Sequence, residues 1–377
     1  MLIGIDASRA VAAERTGTEN YALHLIRALV ALGSAHRFRL YFNQTPSDDL
    51  LPQGDGVEWR VIPLSRLWTH LRLGWEVAIH PPDVLFVPSH VLPLIHPRRS
   101  VATVHDLGYL YHPRAHTRRS RWYLGWATRH NARAARRVIV DSLATRDDLA
   151  RWYGVSPAKT VLAYPAGVRD LAPVADPDEV AAVRRRYNTG ARYVLYVGTL
   201  QPRKNVETLV RAFARLARRG LLPGDTRLVL AGRRGWLAEG IDRAIAASGC
   251  AERIVIPGYV AGEDLAALLS GALAFVMPSW YEGFGLPVLE AMACGAPVVC
   301  SRAASLPEVA GDAALLFDPA DEGALAEALA RLAAEPALRA ELAVRGMRRA
   351  RAFTWERCAE IVLSTLEEVA SEGARGT

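Results

Sequence analysis

The chain has 377 residues, a hydrophobic fraction of 51% and a charged fraction of 23%, an ordinary globular composition with length enough for two domains and their cores. No run reaches the ~18 uncharged apolar residues of a membrane span, and MLIGIDASRA enters a strand-like segment without the charged region and long apolar stretch of a signal peptide. The formal net charge of +7 rests on arginine, because Lys159 and Lys204 are the two lysines present.

In chain order, a strand expected at 2–5 leads through the polar loop SRAVAAERTGTEN into an amphipathic helix from about Asn20 to Leu32. Strands are expected at 38–42, 59–62, 84–87, 101–104, 138–140 and 161–164. Between them, the window 107–140 holds eight arginines and no acid: Arg114, Arg118, Arg119, Arg121, Arg129, Arg133, Arg136 and Arg137, interleaved with Trp122, Tyr123 and Trp126. Such a basic, aromatic, helical stretch suits an anionic membrane surface or nucleic acid, and equally the solvated face of a surface helix.

The segment APVADPDEV, 172–180, has the composition of a linker. A second strand-helix series then runs through YVLYVG, TRLVLAG, RIVIPG, ALAFVMP and PVVCS. Apolar strands alternating with helices predict parallel sheets covered on both faces. The expected organisation is a first domain over 1–180, a second over 181–354, and a last helix from 355 that crosses back to the first. Two such halves predict a cleft, with ligands beyond the carboxyl ends of the strands. Cys250, Cys294, Cys300 and Cys358 have neither CxxC nor metal-ligand spacing, which predicts buried free thiols in a reducing, cytoplasmic compartment.

One stretch, WYEGFGLPVLEAMACGAPVV, sets Glu282 and Glu290 around a Gly-Phe-Gly turn. Pro287 suits the start of a helix and Gly295 with Pro297 its stop, so a helix is expected over roughly 287–294. Glu282 then lies in the loop after a strand and Glu290 one turn into the helix. Gly283 and Gly285 admit a close ligand, and the helix start offers unpaired amides. This suits an anion that carries hydroxyls, although a tight turn with two solvated acids reads equally well from these residues alone. After YVLYVG, Arg203 and Lys204 form a basic pair suited to a diphosphate. LVLAGRRGW brings Gly232 and Gly235 after another strand, and IVIPGYV offers backbone at Tyr259 and Val260 to the edge of a nucleobase.

Taken together, GTLQPRKN, AGRRGW, the 257–299 stretch and SLPEVAGDAALLFDP resemble the retaining glycosyltransferase family 4, densely over about 193–320. TGTENYALHLIRAL, PDVLFVPSHVLP, VATVHDLGYLYHP and YPAGV resemble it more loosely. The resemblance implies an α/β protein of the GT-B fold, two Rossmann-like domains, with the nucleotide-sugar donor on the second and the acceptor on the first. It implies that Arg203 and Lys204 neutralise the donor diphosphate and that Glu290 accepts both ribose hydroxyls. Glu282 would hold hydroxyls of the transferred sugar, helped by the amides of Phe284 and Gly285. Gly17, Thr18, Gly198, Tyr259, Val260, Gly283 and Leu286 complete the implied donor site. His105 would lie near the reaction centre beside Arg203, Lys204 and Glu282. Asp106 would orient His105 or the backbone and, with Tyr109, face the acceptor. Where many members have a Gly-Gly pair, this chain reads Arg15-Thr16-Gly17-Thr18-Glu19-Asn20, with Asn20 as an alternative helix cap.

The implied reaction needs no cofactor and no metal, in line with the lack of an Asp-x-Asp motif after a strand. The first expectation is mannose from GDP-mannose, otherwise a UDP-sugar, passed to a glycan or lipid-linked acceptor in cell-surface polysaccharide synthesis. Work at the inner face of the cytoplasmic membrane would use the segment from Arg114 to Arg137. The alternatives are a nucleotide-sugar 2-epimerase of the same architecture and a nucleic-acid-binding protein using the 107–140 arginines, although no nucleic-acid partner is expected.

Overall fold

The computed structural model describes residues 1–12, 17–47, 50–51, 53–54, 56–64, 67–113, 117–167 and 171–372. It divides into two compact units. One comprises Met1–Leu107, Thr117–Ala166 and Phe353–Thr377, the other Gly108–His116 and Gly167–Ala352. The chain therefore changes unit after Ala166, ahead of the 172–180 stretch. That stretch leads into a helix, Pro177–Arg186, whose N-cap Asp176 accepts from the Asp178 amide at 2.9 Å.

Among the described residues, the first unit is built on seven parallel strands: β1 (Leu2–Asp6), β2 (Arg37–Phe42), β3 (Val57–Val61), β4 (Val84–Val87), β5 (Ser100–Val104), β6 (Arg137–Val140) and β7 (Thr160–Leu162). Their order is β3-β2-β1-β4-β5-β6-β7, so the winding reverses between β1 and β4. The central strands β4 and β5 are buried along their whole length, and β4, VLFV, accordingly reads as an unbroken apolar run, while β5 buries Ser100 and Thr103 among its apolar residues. The helix after β1 spans Gly17–Ala31 and begins earlier than expected. Asn20 is its fourth residue and lies past the N-cap position, so the alternative capping role does not hold.

The Trp355–Ser371 helix belongs to this unit and packs on the Gly17–Ala31 helix and on β4, β5 and β6. Trp355, Cys358, Val362, Leu366 and Val369 recur at helical spacing as its buried stripe. Trp355 meets the Tyr21 ring edge-on at 5.8 Å and stacks on His24 at 5.5 Å. At its far end Glu368 and Glu372 pair with Arg137 and Arg136.

The second unit holds β8 (Arg192–Val197), β9 (Thr226–Ala231), β10 (Ile254–Gly258), β11 (Ala274–Met277), β12 (Val298–Ser301) and β13 (Ala314–Phe317), all parallel, in the order β10-β9-β8-β11-β12-β13. Here the winding reverses between β8 and β11. β13 was not expected. It is a four-residue edge strand, ALLF, half-exposed over its first three residues and buried at Phe317, an apolar run but a short one. The Val206–Arg218 helix buries Val206, Leu209, Val210, Phe213 and Leu216, spacing that fixes which face meets the sheet.

Candidate active site

Where a doubly wound sheet reverses its order, the loops leaving two adjacent strands diverge and open a crevice at their carboxyl ends. In the second unit those loops follow β8 and β11, and they carry the basic pair and Glu282. The first loop ends in a single 3-10 turn, Pro202–Lys204. Asn205 follows it in the left-handed region, φ 54°, a conformation asparagine tolerates better than most. Its amide nitrogen donates to the carbonyls of Pro278 at 3.1 Å and Pro319 at 2.8 Å, while its oxygen accepts from Thr208 at 2.7 Å. The Trp280 amide donates back to the Arg203 carbonyl at 3.0 Å. The two loops are thus tied by main-chain and side-chain bonds before any charged group is considered.

Between them Glu282 is buried, and Lys204 Nζ donates to its Oε1 at 2.6 Å. Arg203 Nη1 lies 3.3 Å from Glu282 Oε2 and donates to the Tyr281 carbonyl at 2.6 Å. The Ser279 hydroxyl also donates to Oε1. Burial alone would raise the carboxyl pKa, but the charges of Lys204 and Arg203, with the Lys204 and Ser279 hydrogen bonds, outweigh it and hold Glu282 at about 2. The three charges sum to one surplus positive charge. They form a preorganised cationic corner at the sheet reversal.

The loop then turns into the helix Leu286–Ala293. Ser305 Oγ lies 2.9 Å from the Glu282 carbonyl and 2.8 Å from that of Phe284, sharing its one proton between them. Gly285 takes φ +101°, and a Cβ there would lie 2.6 Å from Leu306, so the turn requires glycine. Gly283 and Phe284 are buried in the turn, and Leu286 begins the helix. Glu290 follows one turn later, buried, with its side chain running past Gly167, where a Cβ would meet its Cγ at 3.3 Å.

The neighbouring strand ends are stripped of side chains. Gly198, Gly232 and Gly258 close β8, β9 and β10 with positive φ, and the Gly232 amide donates to the Gly258 carbonyl at 2.7 Å. A Cβ on Gly232 would sit 2.0 Å from the Gly198 oxygen. Beyond β10 the Tyr259 ring is exposed and lies beneath the Arg233 guanidinium at 5.2 Å, with Val260 beside it half-buried. Tyr109, in the short helix Gly108–Tyr111, is buried, whereas Tyr111 stacks on Tyr281 at 5.1 Å.

The first unit gathers a second constellation at its own reversal, past β1, β4 and β5. His105, just after β5, points Nδ1 at Asp141 Oδ2 at 2.6 Å and Nε2 at the Pro88 carbonyl at 3.0 Å. A carbonyl can only accept, so Nε2 carries a proton, and Asp141 accepts from Nδ1. Acceptors at both nitrogens favour the protonated ring, while burial also pushes the Asp141 carboxyl up. Burial would lower the His105 pKa, but the Asp141 charge and hydrogen bond outweigh that and raise it. Ser89 donates to the Thr18 carbonyl at 3.0 Å and lies 3.4 Å from His105 Nε2, linking the start of the Gly17–Ala31 helix to the histidine. Gly17 is exposed, and a Cβ on it would meet nothing within 4 Å.

The structure therefore brings Arg203, Lys204 and Glu282 together, with Glu290 one helical turn on, and separately brings His105 beside Thr18. The carboxylate that orients His105 is that of Asp141, where Asp106 had been expected; Asp106 acts on the imidazole through its charge. Asp141, Ser89, Ser279, Asn205 and Ser305 were not anticipated. Ser279 stands three residues before Glu282 and was legible as its neighbour, whereas Asp141 required the pairing of β5 with β6. Arg15, Thr16 and Arg114 lie outside the described residues. Among the described residues, no group of three or more His, Cys, Asp or Glu side chains is placed to hold a metal ion, and no helix is long and apolar enough to cross a membrane.

Comparison with known proteins gives a consistent picture. Residues 15–166 match the model described as Glycosyltransferase Family 4, and residues 191–335 match Glycosyl transferases group 1. O-antigen chain mannosyltransferase B of Escherichia coli is 31% identical over 365 residues, covering 91% of this chain and 93% of that protein. The GDP-mannose-dependent alpha-(1-6)-phosphatidylinositol monomannoside mannosyltransferase of Mycolicibacterium smegmatis is 35% identical over 208 residues, 52% of this chain and 50% of that one. Among solved structures, sucrose-phosphate synthase from Thermosynechococcus elongatus superposes with a TM-score of 0.75 at 25% identity, over 98% of each chain.

Proposed function

Because the chain belongs to glycosyltransferase family 4 and is a transferase of the GT-B fold, we propose that it is a retaining, metal-independent mannosyltransferase. It moves mannose from GDP-mannose to a glycan or lipid-linked acceptor in cell-surface polysaccharide synthesis, at the cytoplasmic face of a membrane. The observation that carries this reading is the pairing of Lys204 and Arg203 on one buried carboxylate at the sheet reversal. A departing nucleoside diphosphate gathers negative charge as the glycosidic bond breaks, and fixed cations that need no reorganisation stabilise that charge most. Mannose and its guanine nucleotide are supported by the names of two relatives.

In this mechanism Lys204 and Arg203 hold the diphosphate and Glu290 accepts the ribose hydroxyls. Glu282 keeps both cations in place and presents its turn to the sugar. The acceptor oxygen attacks the anomeric carbon on the face that the phosphate leaves, and the leaving phosphate oxygen takes the acceptor proton. His105, with both nitrogens donating, has no lone pair free to act as a base. It serves as a fixed positive charge whose orientation Asp141 sets.

The test is transfer from GDP-mannose to an oligosaccharide acceptor in EDTA, with the product read by proton NMR. An α-mannoside formed at an unchanged rate in EDTA is the expected result. A β-product, loss of transfer in EDTA, or an epimeric nucleotide sugar formed without acceptor contradicts the reading, the last in favour of a 2-epimerase.

A further inference from the structure

The arginine-rich helix of the first unit, Arg118–Ala134, exposes Trp122, and a further exposed apolar surface lies beside it. Leu71, Trp75 and Ile79 recur every four residues along a helix that begins with a π-turn, Thr69–Leu73, and continues as Gly74–Ile79, and exposed Leu67 stands just before it with a left-handed backbone, φ 55°. In a regular helix of 3.6 residues per turn, a strict four-residue repeat drifts around the axis. The wider π-turn offsets that drift and keeps Leu71, Trp75 and Ile79 on one face about 12 Å long. A Cβ on Gly74 would lie 3.4 Å from the Ile95 carbonyl, so the loop bearing Leu94 and Ile95 runs directly against this helix. Exposure of these six residues and Trp122 runs from 51% at Ile79 to 74% at Trp122.

The patch is continuous with the arginine-rich helix. Trp126 stacks on His130 at 5.5 Å and meets His70 of the π-turn at 5.5 Å, while His96 meets His130 at 6.1 Å. The same segments expose Arg72, Arg98, Arg118, Arg119 and Arg121. Over 67–80, 91–100 and 117–137 the single acid is Glu76, which is buried and paired with Arg60 at 2.9 Å.

We propose that this face docks on an anionic lipid bilayer, with Leu71, Trp75 and Ile79 entering the headgroup–acyl boundary and the arginines on lipid phosphates. The inference rests on the membrane location in the functional reading above and moves the docking element from the arginine helix to the π-turn helix. Exposed tryptophan and aliphatic side chains accompanied by arginine suit a bilayer surface, where amphipathic rings settle at the headgroups. A second copy of the chain is a poor occupant, because it would set arginine against arginine.

The test is co-sedimentation of the full chain with phosphatidylcholine vesicles with and without phosphatidylglycerol. Beside it, transfer is assayed on a water-soluble mannoside acceptor. Native protein should sediment with the anionic vesicles, less so in high salt. The triple variant L71S/W75S/I79S should lose at least about tenfold in partitioning while keeping its circular dichroism and its rate on the soluble acceptor. Each arginine removed from Arg118, Arg119 and Arg121 should cost about fivefold. Native protein that ignores anionic vesicles, or a triple variant that binds them as well as native, overturns the proposal. A concentration-dependent dimer in sedimentation velocity that the triple variant abolishes also overturns it, in favour of a protein interface. Failure of the transferase reading would appear instead as no transfer to the soluble acceptor, whatever the vesicle result.

Discussion

Replacing Glu282 with Gln removes the negative charge that Lys204 and Arg203 share while keeping the shape of the side chain. A shift from an ordinary 4.5 to about 2 in a buried group corresponds to about 3 kcal/mol. The folded pKa lies below the unfolded one, so this contribution is complete above about pH 4.5 and is lost as pH falls toward 2. Urea unfolding of native and E282Q protein should therefore differ by about 3 kcal/mol at pH 7, with the gap closing in acid; equal stability at pH 7 would show the pairing to be idle. Asp141→Asn tests the other constellation. His105 should titrate above the usual histidine value in native protein and fall in the variant, followed by NMR at its ring protons. Asp106 is adjacent in sequence and Asp141 lies 36 residues away, which is why residue order alone offered Asp106, for the histidine or the backbone, and not Asp141.

At the scale of elements, the carboxyl edge of the second sheet is shaped by backbone. Gly232→Ala would place a methyl 2.0 Å from the Gly198 oxygen at φ +139°, with a cost of at least about 3 kcal/mol. Gly17→Ala meets nothing within 4 Å, so its melting temperature should match that of native protein while transfer slows, because the proposed donor diphosphate would approach this backbone. Thermal scans and initial rates separate the two cases; a G17A protein with full activity would deny that approach a role. Most strands were legible because central parallel strands bury both faces and leave unbroken apolar runs such as VLFV in β4. β13 was not: ALLF is apolar but only four residues long, and so short a run does not by itself separate strand from helix. The early start of the Gly17–Ala31 helix was hidden by Asn20, a good capping residue that here lies inside the first turn.

For the whole molecule, the alternation of strands and helices announced two parallel-sheet units, but the order of strands within each sheet was not in the pattern. That order explains the sites. Arg203 and Lys204 leave β8, Glu282 leaves β11, and these strands are neighbours because the sheet reverses there. Motif spacing had named the residues without saying that the two cations and the carboxylate would pair. The buried thiols carry no chemistry in this account: burial pushes Cys294 and Cys300 up to about 12, and Cys358 higher still. The most direct test of the cationic corner is calorimetric titration of GDP, UDP and ADP into the protein in EDTA, beside Lys204→Ala and Glu290→Ala variants. The account predicts micromolar binding of GDP, weaker binding of the others, and loss in both variants. Folded protein that binds none of the three, or that binds GDP equally well without Lys204, would contradict it.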